Sequence, residues 1–321
     1  MTRLTIAFFG APSFAAELLQ KIIDDTNLPV ELKFVVTQPD KKAGRKQIIT
    51  PTPVKNLAKK YKIEVLDKFQ VTSYKLQELD LVLLYAFGEL IPAEMLKTPR
   101  WGFWNIHPSL LPLYRGPSPI AYPLLLGEEK TGVSLIEMDE RLDHGKIIDQ
   151  KEYSIIKSDT QETLKKRLSD IGYELFKKNI HLLIDGALHK IEQNHSKSTI
   201  TRLLTKKDGF IPYAIVQKMS KGEPLLKEDI PPIIAEYYAK YPPLTTNYQL
   251  PTTYFNYFRA LSPWPGIWTM IPINGANKRL KITGMELRTT NYTLPPFITH
   301  VQLEGKKEVD FETFKAAYRI F

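Results

Sequence analysis

Apolar residues are distributed along this chain in two different ways. Over residues 1–189, short continuous apolar runs alternate with segments of helical period. "LTIAFFG" (4–10) is an apolar run closed by glycine, the pattern of a strand buried on both faces. "SFAAELLQKIID" then puts Phe14, Leu18, Leu19 and Ile22 on one helical face, with Ser13 placed to cap. "VELKFVVTQPD" reads as a strand running into a turn, which completes a βαβ unit. "LDLVLLYAF" (79–87) and "GFWNIH" are further apolar strands, followed by "TGVSLIEMD" (131–139) and "KIIDQ". A long helix is predicted where Leu164, Leu168, Ile171 and Leu175 share a face, with Ser158 or Asp159 as cap and Gly186 as stop. The pattern predicts an α/β fold with a doubly wound, Rossmann-like, mostly parallel sheet. Ligands of such sheets bind beyond the carboxyl ends of the strands.

After the polar run "EQNHSKST" the βαβ alternation stops, and helical patterns are not expected to resume. Short strand-like pieces, "GIWTMIPI", "RLKITGMEL" and "ITHVQLEG", predict a C-terminal small β-barrel or sandwich. The expected organisation is a catalytic domain over 1–189, a linker over 190–207 and a second domain over 208–321. A chain of 321 residues accommodates two domains. Its apolar fraction of 43% and charged fraction of 25% fit a globular protein. The formal charge is +9, and residues 206–321 carry more than half of that excess, which suits a phosphate-rich partner. The absence of cysteine removes disulfides, thiolate catalysis and cysteine-bound zinc, and no metal is expected. No apolar run reaches the length of a membrane span, and "MTRLTIAFFG" breaks at Gly10, so a cytoplasmic protein with no membrane partner is expected. "FFGAPSF" lacks the later glycines of a dinucleotide fingerprint, so a nicotinamide or ATP site is not expected.

The candidate chemistry lies in "NIHPSLLPLYRGPSPI" (105–120). Alternation along a strand sends Asn105 and His107 to the same face at the strand's end. Pro108 holds His107 in extended geometry, and Pro112 and Pro117 stiffen the loop that follows. Asp143, in "MDERLDHG", follows another strand of the same sheet and is expected to point over the carboxyl edge. An amide, an imidazole and a carboxylate meeting there would hold an amine, stabilise an oxyanion and move protons without a covalent nucleophile. Taken by itself, the stretch suits a structural histidine beside a turn asparagine better.

Together, "NIHPSLLPLYRGPSPI", "MDERLDHGKII", "VVTQPDKKAGRKQIITPTPVK" and "LSPWPGIW" resemble the methionyl-tRNA formyltransferases, within the wider group that uses 10-formyltetrahydrofolate. The likeness covers most of residues 4–210 and resumes around 252–285. It implies that Asn105, His107 and Asp143 are catalytic, and that the donor's formyl carbon is attacked directly by the methionyl α-amine of initiator methionyl-tRNA. It further implies that Ser109, Leu110, Leu111 and Pro112 bind the folate donor, and that the pterin lies against "YAFGELIP" (85–92), near Phe87, Gly88 and Leu90. Residues 37–54 match a segment that wedges into the tRNA acceptor arm, with Lys41, Lys42, Arg45 and Lys46 as its cationic contacts. The second domain is expected to be a barrel of oligonucleotide-binding type that adds contacts through a basic face. A monomer is expected.

Two features depart from that pattern. His144 stands where the family usually has threonine, and residues 213–251 form a Pro- and Tyr-rich insert. Two other readings compete. An amino-sugar nucleotide N-formyltransferase would share the trio but not the basic loop, and a non-catalytic RNA-binding module would have no reason to keep all three residues.

Overall fold

The computed structural model describes residues 3–43, 47–67, 70–242, 250–273, 275–287 and 294–321. The chain divides into two compact units. The first comprises Met1–Pro119, Lys130–Ser154 and Lys165–Thr201; the second comprises Ile120–Glu129, Ile155–Leu164 and Arg202–Phe321.

The first unit begins with β1 (Leu4–Gly10), α1 (Ser13–Asp24), β2 (Val30–Val36), the hairpin β3 (Lys41–Ala43) and β4 (Ile48–Thr50), and α2 (Pro53–Lys60). It continues through β5 (Glu64–Leu66), α3 (Ser73–Gln77), β6 (Leu81–Tyr85), α4 (Ala93–Leu96) and β7 (Phe103–His107). After α5 (Ala121–Leu126), which belongs to the second unit, come β8 (Lys130–Glu137), β9 (Ile147–Ser154) and the long α6 (Gln161–Ile184), whose first four residues also fall in the second unit. The sheet order is β5-β2-β1-β6-β7-β8-β9. The first five strands in that order pair in parallel, whereas β8 and β9 are antiparallel additions. This is the doubly wound, mostly parallel sheet that the apolar runs predict.

The central strands β1, β6 and β7 divide their side chains between two buried faces. Phe9, Phe34, Val82, Leu84, Phe87 and Phe103 form one core, with Phe9 meeting Phe87 and Phe103 edge to face. On the other face Trp104 packs edge to face on Phe176 of α6, and the Tyr85 hydroxyl pairs with Ser169 of α6 at 2.9 Å. Asn105 and His107 share the parity of Phe103 and therefore lie on the sheet face opposite α6.

Capping differs from expectation at two helices. Pro12, with no side-chain bond, is the N-cap of α1, and Ser13 is already its first helical residue. At α6 the cap is Thr160, whose hydroxyl accepts from the Thr163 amide at 3.3 Å. Asp159 instead accepts from the Ile156 amide at 2.9 Å, tightening the turn before the helix.

In the second unit the chain forms α7 (Tyr213–Lys221), α8 (Pro232–Lys240) and α9 (Leu250–Leu261). It then forms β10 (Ile267–Ile273), β11 (Ala276–Glu286), β12 (Phe297–Leu303), β13 (Glu308–Asp310) and α10 (Phe311–Tyr318). The four strands make an antiparallel meander in chain order, the all-β part that the sequence predicts. The expectation that helices cease after the polar run is overturned. Proline misleads there because it suits helix starts: Pro212 and Pro231 are N-caps, Pro232 opens α8, and Gly222 in the left-handed region ends α7. The insert is thereby ordered through α7 and α8, with Ile215, Val216, Met219, Ile233 and Ile234 buried and Tyr237 tilted against Tyr122 at 5.2 Å. No helix of the described residues is long and apolar enough to cross a membrane.

Asp25, just past α1, accepts from Lys177 of α6 at 2.6 Å and from the Tyr173 hydroxyl. The Lys177 bond, then the Tyr173 bond, lower its carboxyl from 3.8 to about 2. A carboxyl lowered on folding stabilises above its unfolded value and loses that contribution as pH falls towards the folded one. Because Lys177 is partly solvated, the expected worth is only about 1 kcal/mol. Asp25→Asn should lower the urea midpoint at neutral pH, with the deficit fading between about pH 4 and pH 2. A deficit constant across that range would show that the ion pair is not its source.

Candidate active site

The site is built on the end of β7. Its strand pairing on both sides leaves Asn105 and His107 buried, at 8% and 3% exposure. His107 Nε2 lies 3.0 Å from the Tyr114 carbonyl oxygen. A carbonyl can only accept, so Nε2 carries a proton and Nδ1 is the nitrogen turned to the carboxylate. That nitrogen is 3.5 Å from Asp143 Oδ1. Asn105 Nδ2 donates to the same oxygen at 3.2 Å, and the Gly116 amide donates to Oδ2 at 2.7 Å. The three residues singled out in the sequence thus meet around one carboxylate. Both nitrogen contacts to Oδ1 are longer than the 2.7 Å bond from the Gly116 amide to Oδ2.

The route by which Asp143 arrives differs from expectation. Because β8 is antiparallel to β7, its end at Glu137 lies beside Trp104, near the start of β7 rather than over the carboxyl edge. The β8–β9 connection therefore folds back along the sheet to reach Asn105 and His107. Folding back demands tight backbone. A Cβ on Gly145 would sit 1.8 Å from the Glu137 carbonyl oxygen, and Asp143 itself has φ +47°. Aspartate tolerates this left-handed region better than most residues, yet at a cost that the surroundings must offset.

Two side chains supply that support. Gln193 Nε2 donates to the Asp143 carbonyl at 2.9 Å and to the Gly145 carbonyl at 2.8 Å. Its Oε1 accepts from Arg115 Nη2 at 2.5 Å. Arg115 Nη2 also lies 2.9 Å from His195 Nδ1, which must accept because a guanidinium only donates. Burial lowers the Arg115 guanidinium from its ordinary value, while Asp143 and Asp139 pull it back up. The His195 ring stacks on His144 at 3.8 Å, and desolvation, then His144 and Arg115, lower its imidazole from the ordinary value. His144 Nδ1 faces Asp139 Oδ2 at 2.6 Å, so it is held beside the trio and outside it.

The other residues singled out in the sequence are placed as follows. Ser109 is buried, its hydroxyl donating to the Leu113 carbonyl at 2.7 Å. Leu111 is buried, with its amide on Ser134 Oγ at 3.0 Å and its carbonyl on Gln150 Nε2 at 2.8 Å. Leu110 and Pro112 are half-buried, and the Leu110 side chain closes over Gly132, where a Cβ would lie 2.6 Å from it. The loop is thus a rigid rim that offers backbone and apolar surface to a ligand. Phe87 is 1% exposed within the core, while Gly88 is exposed and Leu90 is 88% exposed. Gly88 and Leu90 are open at the surface there, but the Phe87 ring is taken up by core packing, and its carbonyl accepts from Gln38 Nε2 at 2.8 Å. Lys41 and Lys42 stand exposed on the β3–β4 hairpin. Arg45 and Lys46 lie outside the described residues.

Comparison with known proteins places this geometry in a family. Residues 3–180 match the Formyl transferase family. Over 309 residues the chain is 32% identical to the methionyl-tRNA formyltransferase of Bacillus cytotoxicus, covering 94% of this chain and 85% of that one. The chain belongs to the methionyl-tRNA formyltransferase family. It is an enzyme, and its family uses formyl-tetrahydrofolate donors. Solved structures similar in fold include a 4-N formyltransferase from Francisella tularensis, with TM-score 0.59 at 19% identity over 89% of this chain and 98% of that one. The methionyl-tRNA formyltransferase from Clostridium thermocellum aligns with TM-score 0.58 at 15% identity, covering 94% and 98%. At those identities the likeness concerns the fold alone.

Sequence reasoning missed Gly116, Arg115 and Gln193, which hold Asp143 in the structure. Gly116 carried a signal, since it stands in "YRGPSP" beside the candidate trio. Its φ is +98°, and a Cβ there would lie 2.8 Å from the Thr201 carbonyl oxygen. Gly116→Ala is therefore both strained and obstructed, and it should displace the amide that holds Asp143. The expected cost is about 1–3 kcal/mol in denaturant unfolding, with activity falling more than tenfold. An alanine variant of wild-type stability and turnover would show that the close approach is not required.

Proposed function

We propose that the chain transfers the formyl group of 10-formyltetrahydrofolate to the α-amino group of methionine on initiator methionyl-tRNA. The observation that carries this reading is that Asn105 Nδ2 and His107 Nδ1 both face one anionic oxygen, Asp143 Oδ1, in a chain alike over most of its length to methionyl-tRNA formyltransferases. A point where two nitrogens converge on a negative oxygen is the geometry that a tetrahedral oxyanion requires.

In this reading the amine attacks the formyl carbon directly. The new C–N bond places negative charge on the formyl oxygen, which accepts from Asn105 Nδ2 and from protonated His107 Nδ1. With Nε2–H given to Tyr114, Nδ1 is the ring nitrogen left to act on the substrate. Asp143 orients the imidazole and takes up the proton that the amine loses. Collapse of the intermediate breaks the bond from the formyl carbon to N10 of the folate, and N10 takes the proton that Asp143 had accepted. Ser109, Leu110, Leu111 and Pro112, with Gly88 and Leu90, would line the folate; Phe87 would act only by holding that wall in the core.

For tRNA, the β3–β4 hairpin offers Lys41 and Lys42 beside Ile48 and Ile49, which are 61% and 66% exposed. Arg45 and Lys46 continue the same basic segment. Residues 1–189 are assigned the chemistry and residues 208–321 additional tRNA contact. On the outer face of that second sheet Arg279 lies over the Trp268 ring at 4.8 Å, and Lys281 pairs across from Trp268. Cationic and aromatic side chains so combined suit a polyanion that carries bases. We take the working form to be a cytoplasmic monomer.

Purified protein should convert charged initiator tRNA and 10-formyltetrahydrofolate to formyl-methionyl-tRNA, read by mass spectrometry, with amino-sugar nucleotides present as competitors. Formylated sugar without formylated tRNA would establish the amino-sugar reading instead. RNA binding with no formyl transfer to either acceptor would leave only a binding module, and turnover unaffected in His107→Ala would remove the imidazole from the mechanism. Replacing Arg45 by Ala should weaken tRNA use and leave folate binding intact, whereas equal loss of both would make the loop structural. The double charge reversal Arg279→Glu, Lys281→Glu should weaken tRNA binding and reduce the salt slope by about 2, one for each phosphate contact removed. An unchanged slope would remove that face from the tRNA path.

A further inference from the structure

We propose that Gln193 is the positioning residue of the active site, a carboxamide clamp that holds Asp143 against Asn105 and His107. This rests on the formyl-transfer reading of the site but concerns a residue which that reading does not use.

Gln193 lies in the polar run whose composition suggests a linker, yet it is 4% exposed. The segment around it is fixed at both ends to the loops that form the site. Ile191 exchanges two backbone bonds of 2.8 Å with Ile147, next to the Asp143 loop. Further on, the Arg115 amide donates to the Thr199 carbonyl at 2.9 Å and the Thr201 amide donates to the Arg115 carbonyl at 2.7 Å. Residues 191–201 therefore form a strap between the loop that carries Asp143 and the loop that carries Tyr114, Arg115 and Gly116.

The chemistry at Gln193 calls for an amide. Its Nε2 has two hydrogens, and they serve the carbonyls on either side of His144, those of Asp143 and Gly145. Its Oε1 faces a cationic donor, Arg115 Nη2. Both ends of the carboxamide are thus satisfied in a buried setting, where an unmet group would cost on the order of 1–3 kcal/mol. A carboxylate could keep Arg115 but would set a second anionic oxygen against two carbonyls. A hydrocarbon would serve neither. The clamped stretch is the one with Asp143 at φ +47°, and two carbonyls fixed two residues apart define the backbone direction between them. Releasing them lets Asp143 relax to commoner backbone angles, and the carboxylate then leaves Asn105, His107 and the Gly116 amide. Arg115 acts behind Gln193 in the same sense, fixing the carboxamide's orientation.

Two substitutions separate positioning from bulk stability. Gln193→Met removes both donors and the acceptor that Arg115 shares with His195; Gln193→Glu keeps an acceptor for Arg115 while losing the donors. Both should lower kcat about 30-fold with KM for each substrate changed less than about threefold, because the effect is on alignment rather than on binding. In an Asp143→Asn background the same substitutions should change kcat less than about twofold, since residues acting through one another are not additive. Imidazole ¹⁵N resonances of His107, recorded without substrates, should move in Gln193→Glu towards those of Asp143→Asn. That spectrum reads the clamp even if the wild-type protein formylates no tRNA, so failure of the proposed function and failure of this inference are distinguishable. Wild-type kcat in Gln193→Glu, full additivity with Asp143→Asn, or unmoved His107 resonances would each overturn the proposal.

Discussion

The site depends on one constraint: a carboxylate from an antiparallel hairpin must lie against two side chains from the neighbouring strand. Asp143 meets it through the Gly116 amide, Asn105 and His107 on its carboxylate, and through Gln193 on its backbone carbonyl. Each contact is individually ordinary, worth on the order of 1 kcal/mol. Jointly they fix a residue in the left-handed region, where it would not remain unaided. Strain held by over-determined surroundings is a common means of presenting a catalytic group before substrate arrives.

The parallel part of the sheet supplies the stiffness. Alternate residues of β7 bury Trp104 and Ile106 on the side of α6 and Phe103 in the opposite core, so Asn105 and His107 extend from a strand packed on both faces. The loop after β7 is then tied down through Ser134 and Gln150, which hold both polar groups of the Leu111 backbone. An imidazole fixed to Tyr114 at Nε2 has one nitrogen left to act, and that nitrogen faces the carboxylate.

Local features were legible in the sequence where one period or one residue type decides them. The apolar run at 4–10 is β1 as read, the run at 79–87 contains the shorter β6 (Leu81–Tyr85), and the shared face of Asn105 and His107 follows from strand alternation. What was not legible depends on strand direction and on distant partners. Nothing in "TGVSLIEMD" says that β8 runs antiparallel, so the fold-back of the Asp143 loop could not be foreseen. Gln193 stands in a run of polar residues, and only the tertiary structure shows that it is buried and bonded at both ends. In the second unit, Pro-rich composition does not reveal that Pro212 and Pro232 each stand at a helix start. The family resemblance supplied the trio's roles, and the structure shows the three side chains in contact.

The central claim, that Asp143 acts on the formyl-transfer step from its place beside Asn105 and His107, is tested most directly by single-turnover rapid quench. Wild-type protein and Asp143→Asn, each saturated with 10-formyltetrahydrofolate and methionyl-tRNA, would be compared in the rate of formyl transfer. The account predicts a chemical step slowed by about 10²–10⁴ in the variant, with the dissociation constants of both substrates unchanged. A transfer rate equal to wild type, or a loss confined to substrate binding, would contradict it.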